Sequence, residues 1–261
     1  MTSDNQTLYQ HDLELTRGNR ARLQKNRNLM YWYQALYRNL FRTIPDISEK
    51  RVLEIGSGTS PLKMFLPNVI TTDILKLDYL DIVFDCHEIA DFSAIPDHSI
   101  DVITLTNVLH HLHDPLHFLR NAVRKLVKGG QIIIVDPYFS LLSWPLYKFL
   151  HHEPVDFNIS RPVLDAIQGP LSSSNQAIPY MIFFSKTRWL EELSDCYELT
   201  ETRIGFFTSL AYMMTGGISR IFPVPHWLYR LYFVFDLTLA RALPRVFASF
   251  FSVRLVAKIS P

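Results

Sequence analysis

The first chemical signal is VLEIGSGTSP, residues 52–61, which sets Glu54, Gly56, Ser57 and Gly58 at the end of a short apolar run. Glycine at 56 and 58 lets the backbone turn tightly and come close to a ligand. A nicotinamide-type pyrophosphate site would read Gly-x-Gly-x-x-Gly, but position 61 is Pro. Glu54 would also repel phosphate. An acid there suits a cationic ligand that carries an amino group. Asp73 stands 19 residues beyond Glu54 and closes the next apolar run. From that position a carboxylate reaches ribose hydroxyls. The alternative is a solvated acid at a strand end.

These residues need a scaffold. Arg51–Ile55, Val69–Asp73, Ile82–Asp85, Asp101–Thr106 and Gln131–Asp136 read as short β-rich runs, with helical patterns between several of them. The clearest helical pattern, Asp114–Leu126, is expected to stop at Gly129-Gly130. Strands alternating with helices predict parallel βαβ units and a sheet covered on both faces. Residues 1–15 read as a polar, loosely ordered lead-in, and 16–43 as helical, closed by Pro45. The prolines and polar residues of 137–185 predict an irregular excursion above the sheet. A helix at about 187–195, a strand at Glu198–Ile204 and an alternating Ser252–Ile259 follow, so two late strands could close the sheet.

Five stretches together carry a resemblance: LEIGSGTSP, the acid in TTDI, FDCHEI, IPDHSIDVITLTNVLHHLHDP and KLVKGGQIIIVDPY, all within residues 50–138. The chain resembles the class I S-adenosylmethionine-dependent methyltransferases, closest to the small-molecule branch (methyltransferase type 11) that includes quinone-biosynthesis enzymes. That family has Gly where Ser60 stands here. The resemblance implies an α/β, Rossmann-like, mostly parallel seven-stranded sheet with helices on both faces. To this a hydrophobic helical insertion is added before the last strand. It implies one methyltransferase domain over 1–261: an N-terminal helical segment (1–48), a cofactor core (49–138), an active-site excursion (139–186), and sheet completion with a cap (187–261). It also implies roles toward S-adenosyl-L-methionine. Glu54 and the Gly56–Gly58 backbone, with Ser57, would face the methionine part. Asp73 would take the ribose hydroxyls and Asp85 the adenine amino group, with Cys86 and His87 beside the ring. Asn107 would line the floor under the methyl donor.

Three further motifs bear on chemistry. His110-His111-Leu112-His113 has the composition of a metal cluster. Zinc needs four ligands, usually from separate elements, and Asp114-Pro115 begins a helix, so no metal is assigned. Asp136-Pro137-Tyr138 mimics the Asp-Pro-Pro-Tyr signature of amino-methyltransferases that act on nucleic-acid bases. That signature follows the fourth strand, whereas here the tripeptide ends the fifth, so base methylation is discounted. His151 and His152, in the excursion, are candidates for a general base toward a hydroxyl nucleophile, because imidazole titrates in the right range. The alternative is a histidine pair capping a turn.

The acceptor side is less polar. Residues 206–250 hold eleven aromatics and four arginines, Arg220, Arg230, Arg241 and Arg245, against one acid, Asp236. His226–Leu243 reads as a helix that is apolar nearly all round. Such a helix is buried, packs on a partner, or lies in a bilayer interface. This favours O-methylation of a hydrophobic or lipid-linked small molecule, with peripheral membrane contact through 206–250. A polar sugar or metabolite acceptor is the alternative, and a non-catalytic binding module the rival class. Twenty-six basic residues against 25 acidic ones argue against a nucleic-acid partner. Two cysteines, a polar N-terminus and no apolar run of spanning length predict a cytoplasmic protein, peripheral at most on the inner face of a membrane.

Overall fold

Seven strands hydrogen-bond into one sheet in the order β3-β2-β1-β4-β5-β7-β6. They are β1 (Val52–Ile55), β2 (Ile70–Asp73), β3 (Ile82–Val83), β4 (Ile100–Thr106), β5 (Leu126–Pro137), β6 (Tyr197–Arg203) and β7 (Phe250–Ala257). The first five pair in parallel, and β7 runs antiparallel between β5 and β6. The computed structural model describes residues 3–164, 169, 171, 173–205 and 208–258. Strand order reverses between β1 and β4, which opens a crevice at the carboxyl ends of the strands.

The central strands are buried on both faces, as parallel sheets require. Alternation sends Leu53, Ile55, Ile103, Leu105, Ile132 and Ile134 to one apolar cluster, and Val52, Val102, Ile133 and Val135 to the other. The helices are α1 (Ser3–Lys25), α2 (Arg27–Phe41), α3 (Leu62–Phe65), α4 (Pro115–Ala122), α5 (Ser143–Phe149), α6 (Ala177–Tyr180), α7 (Arg188–Glu191), α8 (Ser209–Met213), α9 (His226–Ala242) and α10 (Pro244–Phe247). Helices α2 and α9 pack on the second cluster, around the fully buried Trp32. Its ring meets Tyr33, Tyr212 and Phe250 edge-on.

Several expectations need correction. The N-terminal lead-in is helical: α1 begins at Ser3 and buries Asp12, Leu13, Thr16, Asn19 and Leu23 along one face. It breaks at Asn26, whose Oδ1 caps α2 by accepting from Leu29 N. Helix α4, capped by Asp114 Oδ1 on His117 N, ends at Ala122; a 3-10 turn follows, and Leu126 is already strand. Gly129-Gly130 therefore does not stop a helix. It kinks β5: Gly129 has φ +73, and a Cβ on Gly130 would meet the carbonyls of Val127 and Ile100. The 137–185 excursion contains α5, α6 and a π-helical turn at Met181–Ser185. Phe206, Phe207, Ser172 and Ile259 lie outside the described residues.

Helix α9 carries two opposed apolar stripes. Tyr229, Phe233 and Ala240 face inward with Asp236. Trp227, Leu231, Val234 and Phe235 face outward and are 67%, 64%, 60% and 58% exposed. Asn28 ties α2 to the start of this element, donating from Nδ2 to Val224 O (2.8 Å) and meeting His226 Nδ1 through Oδ1 (2.8 Å). No described helix is long and apolar enough to cross a membrane.

Candidate active site

A cavity of about 1430 Å³ occupies the crevice at the sheet's carboxyl edge. Its walls include Gly56, Gly58, Asp73, Asp85, Cys86, His87, Asn107, His151 and His152, so the fold brings most of the sequence-nominated residues to one space. It is larger than the ~300–1,000 Å³ typical of single-ligand pockets, which leaves room for two ligands.

The β1 turn is built by hydrogen bonds that only its small residues permit. Gly56 has φ +74, and a Cβ there would lie 2.4 Å from Val108. Ser57 N donates to Thr72 O (2.8 Å), and Thr72 N donates back to Ser57 Oγ (3.1 Å), locking the turn to β2. Gly58 N donates to Asp73 Oδ2 and Leu75 N to Asp73 Oδ1, both at 2.9 Å. Burial raises the Asp73 pKa above its ordinary value. Glu54 is buried at the end of β1. Ser60 Oγ donates to its Oε1 (2.5 Å) and is supported by Tyr37 OH (2.9 Å). Burial pushes Glu54 up to about 7, against the opposing hydrogen bonds of Ser60 and Ser57. Ser60 thus does more than tolerate the turn; it orients the acid.

The other candidates sit across the crevice. Asp85 Oδ1 accepts from His87 N (2.9 Å) and meets His87 Nδ1 (2.8 Å), contacts that hold Asp85 below the usual carboxylate range. Cys86 is buried, which raises its thiol pKa. Asn107, at the end of β4, adopts φ +55. Buried oxygens without a partner among the described residues include Asn107 Oδ1 in the cavity wall and Glu54 Oε2 behind it, beside Thr16 Oγ1, Asn19 Oδ1, Thr106 Oγ1 and Gln176 Oε1 elsewhere in the wall. A ligand with an ammonium group and a sulfonium meets the need of the first two, because both oxygens favour positive charge. The residues present therefore fit the methyl donor implied by the sequence.

The histidine run divides. His113 turns toward His87, with ring centroids 6.3 Å apart. His110 and His111 turn inward and meet Glu153, which no sequence signal linked to them. His110 Nδ1 hydrogen-bonds Asp136 Oδ1, and its Nε2 lies 3.1 Å from Glu153 Oε2. His111 Nδ1 donates to Ser173 O (3.1 Å), and its Nε2 lies 3.6 Å from Glu153 Oε1. Backbone bonds from Asn175 N to His110 O and from Gln176 N to Pro154 O lay the excursion against this turn. Burial depresses the His110 pKa, but Asp136 and Glu153 outweigh it and lift the group to about 10. His111 falls to about 4 through burial and the neighbouring His110. Burial works to raise Glu153, yet His110 and His111 hold it well below the ordinary range.

His151 and His152 differ in what they can do. Gln176 Nε2 donates to His151 Nδ1 (2.7 Å) and to Glu153 Oε2 (2.8 Å), so the His151 lone pair is engaged. To accept a proton there, His151 must first release Gln176. His152 stacks on His151 at 4.7 Å, and its side chain is 84% exposed. Helix α1 contributes a wall that no motif announced: Tyr9, Asp12, Leu15, Thr16 and Asn19 line the cavity. Arg20 clamps the turn beneath it, donating to Ser60 O (2.8 Å) over the Tyr79 ring. The only trace of this wall in the sequence is the 12/13–16–19–23 spacing, which is helical but largely polar.

The methyltransferase-domain family model matches residues 24–171, more than half of the chain. A highly reducing polyketide synthase of Pyrenophora dematioidea is 25% identical over 171 residues, covering 56% of this chain. The chain spans 6% of that relative's length. Among solved structures, the complex between the Haloferax volcanii Trm112 methyltransferase activator and a methyltransferase aligns with TM-score 0.50 at 13% identity, covering 96% of each chain. That likeness supports the fold. An S-adenosylmethionine-dependent methyltransferase of Archaeoglobus fulgidus aligns at TM-score 0.45 and 19% identity, over 86% of this chain and 94% of the other. With the family match over residues 24–171 and a sheet whose strand order reverses beside the glycine turn, the chain belongs to the methyltransferase-domain family.

Proposed function

We propose that the enzyme O-methylates a hydrophobic, lipid-linked small molecule that it takes from an anionic membrane surface. The observation that carries this reading is the uncovered outward stripe of α9, with Trp227, Leu231, Val234 and Phe235 in solvent. A second exposed apolar group, Leu141, Leu142, Phe149 and Leu150, continues it: Leu141 N and Leu142 N donate to the carbonyls of Arg245 and Val246, just beyond α9. Leu150 and Leu146 also line the cavity, so apolar surface runs from the outside into the pocket. Apolar patches of this kind mark interaction sites. The exposed charges of 141–150 and of the described residues of 208–250 are Arg220, Arg230, Arg241, Arg245 and Lys148, all positive, while the acid Asp236 points inward. Cations beside an apolar stripe suit acidic headgroups.

Within this reading the cofactor residues keep the roles that the family resemblance implies. Glu54 and Asn107 hold the cationic end of the methyl donor. The backbone of Gly56, Ser57 and Gly58 passes beside it. Asp73 takes the ribose, and Asp85, Cys86 and His87 flank the adenine. The bound cofactor supplies an already electrophilic methyl group. The chain's task is then to align the acceptor oxygen and exclude water. A hydroxyl acceptor also loses a proton, which His152, or His151 once released by Gln176, would take up at the rim.

The test is incubation of the enzyme and S-adenosylmethionine with a membrane lipid extract, followed by mass spectrometry. A lipid-soluble species heavier by one CH2 is expected. Co-sedimentation with vesicles should be stronger on anionic than on neutral lipid. If the protein stays in the supernatant with both, and only water-soluble compounds gain a methyl, the acceptor is a polar metabolite.

A further inference from the structure

We propose that His110, His111 and Glu153 form a site for a borderline divalent metal ion of the zinc class, with an open position facing the acceptor cavity. The proposal rests on where each imidazole points its second nitrogen. The Nδ1 of His111 lies against a carbonyl, Ser173 O, which can only accept, so that nitrogen carries the proton. The Nδ1 of His110 lies against the Asp136 carboxylate. Both rings are therefore fixed by an acceptor behind them, and both turn Nε2 inward. Metal-bound histidines show the same support, a carboxylate or backbone carbonyl holding the distal nitrogen.

The two Nε2 atoms converge on one carboxylate. Glu153 offers Oε2 at 3.1 Å from His110 Nε2 and Oε1 at 3.6 Å from His111 Nε2. One donor atom from each of the three residues falls within a span of 4.8 Å. Ligands bound tetrahedrally at ~2.1 Å stand about 3.4 Å from one another, a value that the 3.1 and 3.6 Å separations bracket. With Nδ1 on Ser173 O, His111 turns Nε2 to Glu153 Oε1 at 3.6 Å, too far for a direct hydrogen bond and suited to an ion between them. Asp136 and Glu153 set two carboxylates around the imidazole pair, a donor environment that suits a dication.

The donor set also selects the metal. Two imidazoles and one carboxylate suit zinc, cobalt or iron(II), whereas magnesium and calcium prefer oxygen ligands and water. The sequence reading assigned no metal because the histidine run had no partner on a second element; Glu153 is that partner. Three protein ligands leave a fourth position, and His110, His111 and Glu153 all line the cavity. An oxygen of the acceptor would coordinate there. This last point rests on the acceptor reading given above; the metal site itself does not.

The test uses the full-length protein, stripped by chelator and dialysed against cobalt(II) with elemental analysis. One equivalent of cobalt is expected, with visible absorption of a low-coordinate N/O site that zinc displaces and a large excess of magnesium does not. The spectrum should shift when acetohydroxamate, a probe of open coordination positions, is added. His111→Ala and the near-isosteric Glu153→Gln should each weaken cobalt binding at least about a hundredfold, while both keep wild-type affinity for S-adenosylmethionine, which shows that they fold. If the stripped wild type takes up no more cobalt than His111→Ala, or if magnesium displaces it, the cation in this cluster is a proton and the metal proposal is overturned. An unchanged spectrum with acetohydroxamate would overturn the open position. Failure of the lipid reading alone would leave cobalt binding intact.

Discussion

The β1–β2 side of the crevice, where we propose the cofactor binds, and the facing side, proposed for the acceptor, are built on different physics. Around β1 and β2 the walls are short loops closed by backbone hydrogen bonds. The turn closes mostly on near neighbours, Gly58 to Asp73 and Ser60 to Glu54, and its side-chain braces Arg20, Tyr37 and Tyr79 stand at most 40 positions away. Across the crevice, the acceptor wall is assembled from α1, the 139–186 excursion and the 206–250 insertion, and its contacts span far more of the chain. Asn26 Nδ2 reaches Thr215 O, 189 residues away (2.7 Å), and Leu171 N reaches Asp12 Oδ2, 159 residues away (3.0 Å). The difference teaches that a common reagent can be held by a compact local motif. A particular acceptor is shaped by long-range packing that each chain can vary independently.

The sharpest way to break this contrast is to remove the packing that seats the insertion. Trp32 is fully buried between the sheet and Tyr212. Trp32→Ala should cost about 3–5 kcal/mol of stability, the usual range for a fully buried aromatic. Urea titration measures it. If the insertion rests on this contact, proteolysis between 206 and 225 should also accelerate. On the cofactor side, Asp73→Ala should weaken S-adenosylmethionine binding by about 1–3 kcal/mol, because two buried backbone donors and the ligand lose one acceptor together. Calorimetry gives the value. An unchanged affinity would remove Asp73 from the site.

These two halves were also unequally legible before the fold was known. The strands from 51 to 136 announce themselves through short apolar runs, and Gly56 and Gly58 mark the turn because their chemistry is local. The first half of helix α1, up to residue 15, did not, since the face that the helix buries holds Asp12, Thr16 and Asn19 beside Leu13 and Leu23. Polar residues there face a ligand cavity rather than the core, which erases the apolar stripe that helix recognition depends on. Gly129-Gly130 misled for the opposite reason: the pair looks like a helix stop, but it relieves a kink in β5 beside Ile100. Glu153 could not be tied to His110 from sequence at all. Forty-three residues separate them, and tertiary bonds of Leu164, Ser173, Asn175 and Gln176 bring them together. For α9, composition showed that the helix is apolar nearly all round, but not which stripe the chain would cover.

That stripe can be tested without disturbing the core. Leu231→Glu and Phe235→Glu change exposed positions on α9, so their effect on stability should stay within about 0.5 kcal/mol. Their effect on vesicle co-sedimentation should be large, since each places a negative charge and a polar group where apolar contact with anionic lipid is expected. S-adenosylmethionine affinity should not move. If both variants sediment with vesicles as well as the wild type does, the outward stripe meets something other than lipid.

The smallest expected effect concerns Asp236, the one acid of the insertion. It lies on the inward stripe of α9, buried, and accepts from Ala211 N (3.2 Å). Burial pushes its pKa up to about 7 from an ordinary value of 3.8, against the backbone hydrogen bonds of Ala211 and Thr208. Between those two values the folded chain holds a proton that the unfolded chain has released. Stability from this group is therefore full in acid and is lost as pH rises through about 7. Asp236→Asn keeps an acceptor for Ala211 and removes the titration. It should leave the melting temperature nearly unchanged at about pH 3.5, where both states hold the proton, and raise it at about pH 8, where the wild type carries a buried charge. Thermal scans at the two values decide the matter. An equal shift at both would mean that Asp236 reaches water through the insertion, and that the inward stripe of α9 is looser than its packing against Tyr31 and the sheet implies.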